Sequence, residues 1–261
     1  MKTLLLPALA ALILSAPAHA ADAPKPLKVL LITGGCCHDY AKQKDILKEG
    51  LEKRVNLEVT HSHSDDKSTK PPLEIYGNAD YAKGFDLVIH DECSADIKDV
   101  PTVEAVLKPH TDGTPAVNLH CAMHSYRTGT PIWFEFLGLH STSHGPQEPI
   151  EITYTDTEHP AVKGLANWTT IREELYNNVK VFETARPLAT GKQKVKDKDV
   201  EAVVTWTNEF GPKKTRVFST TLGHNNSTVE DDRYLDLVAR GVLWACDKLD
   251  AEGKPKAGFG K

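Results

Sequence analysis

The sequence predicts an α/β protein with three layers, in which helices cover both faces of a mostly parallel β-sheet. Two observations support this fold class. Continuous apolar runs, typical of strands buried on both faces, recur along the first half of the chain. Amphipathic segments of helical length separate these runs. The alternation indicates βαβ units, and therefore parallel strands.

The elements of the first half follow one another in a regular order. The first strand, over residues 28–33, ends at Gly34-Gly35, and Asp39 is placed to cap an amphipathic helix over residues 40–54. The other elements expected here are a short strand at 57–60, a polar loop at 61–72, a strand at 85–90, a helix at 100–108 and a strand at 116–119.

The second half is predicted to be rich in loops and β-structure. The alternation fails between about residues 126 and 179, where long loops and one strand are expected because Gly, Pro, His and Trp are frequent. The later elements are the strand at 150–154, strands at 180–184, 202–207 and 216–220, a charged, solvated hairpin at 191–199 and a closing helix at 234–248. We expect one domain over residues 28–248 and a flexible tail over residues 249–261.

The N-terminus has the features of a secretory signal peptide. Lys2 precedes an apolar segment, and Ala18-His19-Ala20 has the small-x-small pattern that signal peptidase cleaves. The apolar segment, residues 4–14, is shorter than the ~20 residues that a membrane-spanning helix needs. We therefore expect cleavage after Ala20 (residues 1–20 removed), a linker at residues 21–27, and a periplasmic or secreted protein that does not insert into the membrane.

The charge of the chain excludes some classes of partner. It has 31 Lys and Arg against 36 Asp and Glu, a formal net charge of −5. A nucleic-acid surface requires clustered cations, which this sequence lacks. We expect a small-molecule ligand, no nucleic-acid partner and no nucleotide cofactor; the sequence leaves the oligomeric state open.

The five cysteines do not describe a disulfide scaffold. Cys36 and Cys37 are adjacent, and adjacent cysteines rarely pair because the ring strains the peptide between them. Cys246 lies in an apolar helical pattern and is expected to be a small buried hydrophobe. Cys36, Cys37 and Cys121 fall at strand ends, where either packing or chemistry could explain them.

Histidines follow several of the predicted strands. In an open parallel sheet, ligands bind at the carboxyl ends of the strands, so His38, His90, His120 and His224 are expected to project toward one edge. His140 and His144 lie in the irregular region and are free to fold over that edge. Four other histidines are predicted to be surface residues; they are His61, His63, His110 and His159.

The histidines permit a metal site and also a metal-free acid/base site. His120 and His124 have the i, i+4 spacing of metal-binding helices, although this pattern also occurs in structural histidines. The candidate ligands of a divalent cation such as Zn²⁺ are His38, His120, His124 and His224. Without a metal, the same imidazoles can act as acid and base near neutral pH.

Other side chains complete the candidate site. Asp39 and Glu174 are candidate catalytic groups with His38, His120 and His224, and Glu174 could be a general acid/base. A sugar could stack on aromatic and imidazole rings, or these rings could simply belong to the core; the candidates are Trp133, His140, His144, Trp168 and Tyr176. Cys121 is an alternative nucleophile, but it comes one residue after the apex of its turn, which His120 occupies.

These residues together resemble the ThuA-like (trehalose utilisation) family. The resemblance rests on Gly34-Gly35 with His38-Asp39-Tyr40, the His120 turn, Glu173-Glu174-Leu175-Tyr176, and the final segment from Arg216 through His224 to Trp244. It implies the class I glutamine amidotransferase-like fold, a flavodoxin-like sheet. It also implies carbohydrate metabolism on keto sugars or glycosides, a divalent metal held by histidines, and no glutaminase activity, because His120 occupies the nucleophile position. This chain has Asn118 and Cys121 where the family usually has Gly and Ser.

The leading hypothesis is an exported enzyme that acts on a sugar or keto-glycoside as a hydrolase, lyase or isomerase. Two rivals remain, a sugar-binding module without catalysis and a hydrolase dependent on Cys121. An activity screen on keto-glycosides, with and without chelator, separates the three.

Overall fold

The computed structural model describes residues 24–261. The signal peptide predicted for residues 1–20 lies outside this range, as do residues 21–23 of the predicted linker. Leu27, the last residue of that linker, already belongs to the first strand. None of the helices in the described part combines the length and apolarity needed to span a bilayer.

The strands are numbered in chain order. They are β1 (Leu27–Gly35), β2 (Leu57–Ser64), β3 (Leu87–Cys93), β4 (Ala116–Leu119), β5 (Leu139–His140), β6 (His144–Glu148), β7 (Glu151–Tyr154), β8 (Trp168–Thr169), β9 (Glu173–Tyr176), β10 (Lys180–Val181), β11 (Ala185–Val195), β12 (Lys198–Phe210) and β13 (Thr215–Thr220). The helices are α1 (Tyr40–Arg54), α2 (Val100–Thr111), α3 (Ile132–Leu137), α4 (Asn226–Val229) and α5 (Asp232–Ala245), with single 3-10 turns at Glu74–Gly77 and His120–His124.

A nine-stranded sheet is the centre of the described chain. Its order is β2-β1-β3-β4-β13-β12-β11-β7-β8. The first five strands of this order are parallel, and the last four are antiparallel to their neighbours. Two-stranded sheets, β5 with β10 and β6 with β9, lie beside it. The α/β class, with a large and mostly parallel central sheet, is therefore confirmed.

Helices cover both faces of the sheet. Along β1, Val29 and Leu31 face a core shared with α1 and α5, whereas Leu30 and Ile32 face a second cluster on the opposite side. Helices α2 and α3 contribute to a third cluster, which includes Trp206 of β12. Because a strand buried on both faces needs apolar side chains at every position, its sequence is a continuous apolar run rather than an alternating one.

Several predicted boundaries differ from the structure. Strand β2 continues to Ser64, so His61 and His63 lie on a strand and not in a loop. The strand expected at 180–184 is only Lys180–Val181, while the long strand β11 begins at Ala185. The hairpin predicted in the charged run is present, because β11 and β12 join through Lys196 and Asp197, whose φ values are 46° and 63°. Two successive left-handed residues are typical of a type I′ hairpin turn.

The C-terminal segment 249–261 packs against the domain, which contradicts the flexible tail predicted for it. Leu249 is buried, and Phe259 lies against the core formed by α1, α5 and the sheet. Gly260 forms an isolated β-bridge with Val55, and the Asn56 amide donates to the Phe259 carbonyl. Apolar side chains lie among the glycines and lysines of this segment and make these contacts. The Gly/Lys-rich composition alone had suggested a flexible tail.

The carboxyl ends of the parallel strands lie at one edge of the sheet. His38 follows β1, His120 directly follows β4, and His224 follows β13. The antiparallel pair of β6 and β9 approaches the same edge, because Tyr176 lies in β9 and interacts with His120. The fold thus brings segments distant in sequence to one place.

Candidate functional site

Three imidazoles and one carboxylate converge at this edge. Potential ligand atoms of His38, His120, Glu174 and His224 all lie within 4.8 Å of one another. The Glu174 Oε2 atom is 3.6 Å from His120 Nε2 and 3.4 Å from His224 Nδ1. His224 Nδ1 is in turn 3.1 Å from His38 Nε2. We call these four residues the His/Glu cluster.

His120 is held in one orientation by its surroundings. It occupies the sharp turn after β4 with a left-handed backbone, φ 38°. Its Nδ1 lies 2.6 Å from the Thr221 carbonyl oxygen, which can only accept, so Nδ1 carries the proton. Nε2 is then the acceptor for the Tyr176 hydroxyl at 3.2 Å. The Thr221 carbonyl thus fixes the tautomer in which Nε2 is unprotonated and faces the cluster.

The loop that carries His224 is clamped by buried polar side chains. The Glu173 carboxylate accepts from the His224 amide at 2.9 Å and from the Gly223 amide at 3.3 Å. The Gln43 amide donates to the carbonyl oxygens of the same two residues. Gly223 has φ 123°, and a Cβ there would meet the Tyr234 hydroxyl at 2.8 Å, so this position requires glycine. Both peptide groups of the loop are therefore satisfied inside the protein.

Glu174 is the negative charge of the cluster. Burial acts to raise the pKa of Glu174, but its contacts with His120 and His224 outweigh burial and lower that pKa well below its ordinary value. The reverse holds for His224, where burial lowers the pKa but the Glu174 carboxylate raises it above 6.5. The Glu174 carboxylate and the His224 imidazole thus each favour the charged form of the other.

His38 remains neutral. Burial, together with the neighbouring His120 and His224, lowers its pKa from 6.5 to about 2. Its Nδ1 is 3.0 Å from the Tyr40 hydroxyl, and its Nε2 faces the cluster. A neutral imidazole with one nitrogen held by a neighbour presents a lone pair, as metal ligation and base catalysis both require.

The His/Glu cluster opens into a pocket of about 460 Å³. Its lining includes His38, Glu174 and Tyr176 from the cluster and its surroundings, together with His124, His144 and Arg127. A second, shallower groove of about 600 Å³ adjoins it and also contacts His38 and His224. This size suits a small polar ligand.

Some of the sequence-predicted residues lie near the cluster without joining it. His124 lines the pocket, but its Nε2 is bound to the Ser141 hydroxyl and its ring stacks on Tyr176 at 3.8 Å. His144 is an exposed wall residue whose Nε2 is 3.6 Å from Glu174. Asp39 lies on the rim of the shallower groove and accepts from the Asn226 amide. Its side chain makes no hydrogen bond that caps α1, contrary to the sequence prediction.

Three of the rings proposed to contact a substrate lie elsewhere. Trp133 is fully buried and donates to the Ala122 carbonyl, so no ligand can reach it. Trp168 lies on the edge strand β8, under Arg233. His140 stacks on Phe134 outside the lining of the pocket. A tryptophan in a loop-rich segment is more often a core residue than a platform for a sugar. Both tryptophans are buried here, and none of the three rings lines the pocket.

The other histidines correct the sequence interpretation in a different way. His90 lies within β3, is fully buried, and contacts His110 on the far side from the cluster. His110 and His159 were predicted to be on the surface, and both are buried. His110 is at the end of α2, where its Nδ1 donates to the Thr114 carbonyl at 2.7 Å and so satisfies a buried peptide group. The sequence prediction placed these histidines on the surface because they are polar, but a polar side chain can be buried when it is hydrogen-bonded.

The cysteines also differ from expectation. Cys36 and Cys37 form a disulfide, although adjacent cysteines were expected not to pair. The left-handed backbone of Cys37, φ 82°, follows the permissive Gly34-Gly35 pair and allows the short ring to close. Cys121 is buried, and its pKa is raised by its contact with Cys93 and by burial, which disfavours it as the nucleophile of a hydrolase.

The supporting roles of Glu173, Gln43 and Thr221 were not predicted from the sequence. Glu173 was visible as an acidic neighbour of Glu174, but alternation along β9 would assign it to the opposite face, away from the cluster. Its contact is with the backbone of a loop 50 residues away. The Thr221 carbonyl and Gln43 carry no sequence signal, because any residue supplies a carbonyl and glutamine is common on helices.

One family model covers most of the chain. The model of the family described as "ThuA: Trehalose utilisation" matches residues 28–245. No curated protein sequence matches the chain significantly.

Solved structures share the fold. A ThuA-like protein from Parabacteroides merdae superposes with a TM-score of 0.66 at 22% identity, over 91% of this chain and 97% of that one. One from Bacteroides uniformis gives 0.64 at 17% identity, over 94% and 98%. A protein described as one of the GMP synthase subunits, from Thermoplasma acidophilum, gives 0.52 at 11% identity, over 86% and 96%. The ThuA-like, glutamine amidotransferase-like fold implied by the sequence is therefore confirmed.

Proposed function

Because the chain belongs to the trehalose utilisation (ThuA) family, we propose that it is an exported enzyme that acts on a sugar or keto-glycoside. The observation that carries the proposal is the His/Glu cluster, three histidines and a carboxylate within 4.8 Å, of which His38 and Glu174 line a pocket. Its residues differ in charge state, with Glu174 ionised, His38 neutral and the pKa of His224 raised. Groups with separated pKa values in a pocket are typical of acid/base sites.

The cluster fits a divalent cation. A tetrahedral Zn²⁺ site with bonds of 2.0–2.1 Å has ligand atoms about 3.3 Å apart. The contacts of 3.1, 3.4 and 3.6 Å within the cluster are close to this separation. His38, His120, Glu174 and His224 would be the ligands, and His120 already has its proton on the nitrogen that points away. A bound cation would polarise a sugar carbonyl or acidify a water molecule.

The residues of the chain then have separate tasks. Glu174 accepts a proton or holds His224 protonated, and His224 can donate from Nδ1. Tyr176 presents its hydroxyl beside His120 and closes one wall of the pocket. His144, which lies opposite Tyr176 in the β6–β9 pair, is exposed and free to contact the hydroxyl groups of a sugar. The absence of glutaminase activity belongs to the same proposal, because His120 occupies the turn apex where a nucleophile would lie.

A screen on keto-glycosides tests the proposal. Full-length protein without a His-tag is incubated with keto-glycosides and the parent glycosides, with and without chelator, and products are detected by mass spectrometry. Turnover is expected, with His120→Ala at least about 100-fold slower, since general acid–base groups contribute about 10²–10⁴-fold. The matched control His140→Ala, outside the pocket, should retain wild-type turnover.

The outcomes separate the alternatives. Turnover abolished by chelator, with stoichiometric metal by elemental analysis, supports the cation. Turnover unchanged by chelator supports acid/base chemistry by the imidazoles alone. Saturable sugar binding that His120→Ala removes, with no product from any substrate, contradicts the enzyme and favours a binding module.

A further inference from the structure

Four of the five cysteines lie together at the same end of the sheet. Cys36 and Cys37 follow β1, Cys93 ends β3, and Cys121 follows β4. All four line the pocket beside the His/Glu cluster. The proposed function uses none of them, and their sulfur atoms form a continuous chain of contacts.

Cys93 is the centre of this chain. Its Sγ is 3.4 Å from Cys36 Sγ and 2.7 Å from Cys121 Sγ. Both separations exceed the about 2.05 Å of a disulfide bond, so Cys93 and Cys121 are thiols. The Cys93 thiol therefore contacts one sulfur of the Cys36–Cys37 disulfide, and the Cys121 thiol contacts Cys93.

We propose that these four sulfurs form a thiol–disulfide exchange relay, in which the disulfide moves between the Cys36–Cys37 pair and the Cys93–Cys121 pair. This inference concerns the sulfur chemistry of the chain and is independent of the proposed action on sugars.

The exchange takes two balanced steps. In the first, the Cys93 thiolate attacks Cys36 Sγ; the Cys93–Cys36 bond forms, the Cys36–Cys37 bond breaks, and Cys37 leaves with the electron pair and takes up the proton. In the second, the sulfur of Cys121 attacks Cys93 Sγ and its proton passes to Cys36; the Cys121–Cys93 bond forms, the Cys93–Cys36 bond breaks, and Cys36 leaves as the thiol. Each step makes one disulfide and breaks one, so no external oxidant or reductant is needed.

The surroundings favour these roles. Hydrogen bonding from Cys121 and the nearby Arg127 lower the pKa of Cys93, although burial opposes the shift. Cys37 is exposed, so the leaving thiolate is released into water. Cys121 is buried behind Cys93 and can reach no other sulfur of the relay as directly. Attack by the Cys93 thiol on Cys36, the disulfide sulfur that it contacts, is thus the direct path.

The two disulfide positions leave different groups in the pocket. With the bond at Cys36–Cys37, the wall beside His38 is a disulfide. With the bond at Cys93–Cys121, that wall carries two thiols. The exchange therefore changes the chemistry presented to a ligand without changing the fold.

Trapping of the exposed thiol tests the relay. Folded, oxidised full-length protein is incubated with iodoacetamide and no reductant at about pH 8, near the pKa of an ordinary thiol, and its disulfides are mapped by peptide mass spectrometry. We expect Cys36 and Cys37 to be alkylated and Cys93 to be linked to Cys121, over the minutes to hours of uncatalysed exchange. The rate should not depend on protein concentration, because the reaction is intramolecular.

Variants identify the steps. Cys121→Ser should stop after the first step, with Cys37 alkylated and Cys93 linked to Cys36. Cys93→Ser and Cys93→Ala should each slow alkylation of Cys37 at least about tenfold, the loss expected when attack depends on one thiolate. Cys246→Ser, whose sulfur lies outside the relay near the Asp86 carbonyl, is the matched control and should behave as wild type.

Two results would overturn the relay. One is a Cys36–Cys37 disulfide that stays intact in folded wild type while Cys37 remains unmodified. The other is labelling of Cys37 at the wild-type rate in both folded Cys93 variants, which would show that the disulfide opens without the central thiol. Neither result bears on activity toward sugars, so the two proposals fail separately.

Discussion

Lowering the pH should destabilise the protein through the buried His90–His110 pair. The two Nε2 atoms are 3.0 Å apart, and His110 Nδ1 donates to the Thr114 carbonyl, so His110 Nε2 must accept. Burial, together with the neighbouring His90, lowers the pKa of His110 from 6.5 to about 3. Protonation would direct two N–H groups at each other.

The sign and size of the effect follow from linkage. The unfolded chain binds a proton on His110 near pH 6.5, whereas the folded chain does so only near pH 3. Stability is therefore lost as pH falls below 6.5, by about 1.4 kcal/mol per unit. At pH 5, about 1.5 units lower, the contribution of His110 to the free energy of unfolding should have fallen by about 2 kcal/mol.

Urea unfolding at pH 7 and pH 5 measures this contribution. His110→Gln and His110→Asn cannot titrate, so the free energy of unfolding of each should fall between the two pH values by about 2 kcal/mol less than that of wild type. The two replacements act as controls for each other, because they differ in their contacts at pH 7 but share the missing proton. Wild-type pH dependence in both variants would refute the reasoning.

Three further changes test the site and its support. Glu174→Gln should lower the pKa of His224 in an NMR titration of metal-free protein, because the carboxylate is what raises it; an unchanged pKa would disprove the pair. Cys121→Ser should keep more than about a tenth of wild-type turnover, and a folded variant below about a hundredth would restore the cysteine as nucleophile. Gly241→Ala should lower the free energy of unfolding by about 1–3 kcal/mol, because its Cβ would lie 2.4 Å from an aromatic carbon of β13. Gly77→Ala, with open space around its Cβ, is the control, and equal unfolding energies of the two variants would contradict this packing argument.

The parallel half of the fold could be predicted from the sequence, because burial on both faces requires continuous apolar runs there. Strand β1 is buried on both faces, so its apolar run is readable without any partner. The rule that ligands meet at the carboxyl ends of parallel strands then placed His38, His120 and His224 together, and the structure brings them within 4.8 Å. Their catalytic and metal-binding roles stay predictions.

The remaining features depend on contacts that no local pattern records. Trp133 and His110 are buried among residues of α2, α3 and the antiparallel strands, which are far apart in the sequence. Glu173 acts on the backbone of a loop, and a backbone amide has no residue identity to read. The Cys36–Cys37 disulfide depends on one left-handed backbone angle. Long-range packing and single backbone conformations thus set the limit of sequence reasoning here.

The contact between His38 and His224 joins residues 186 positions apart. Loop-closure entropy makes such a contact form late, after the strands between them have paired. A chain still being synthesised has β1 and its histidine long before the segment that carries His224 exists. The assembled pocket is consequently a property of the finished chain alone, and a truncated or half-folded molecule carries the separate groups without their combined chemistry.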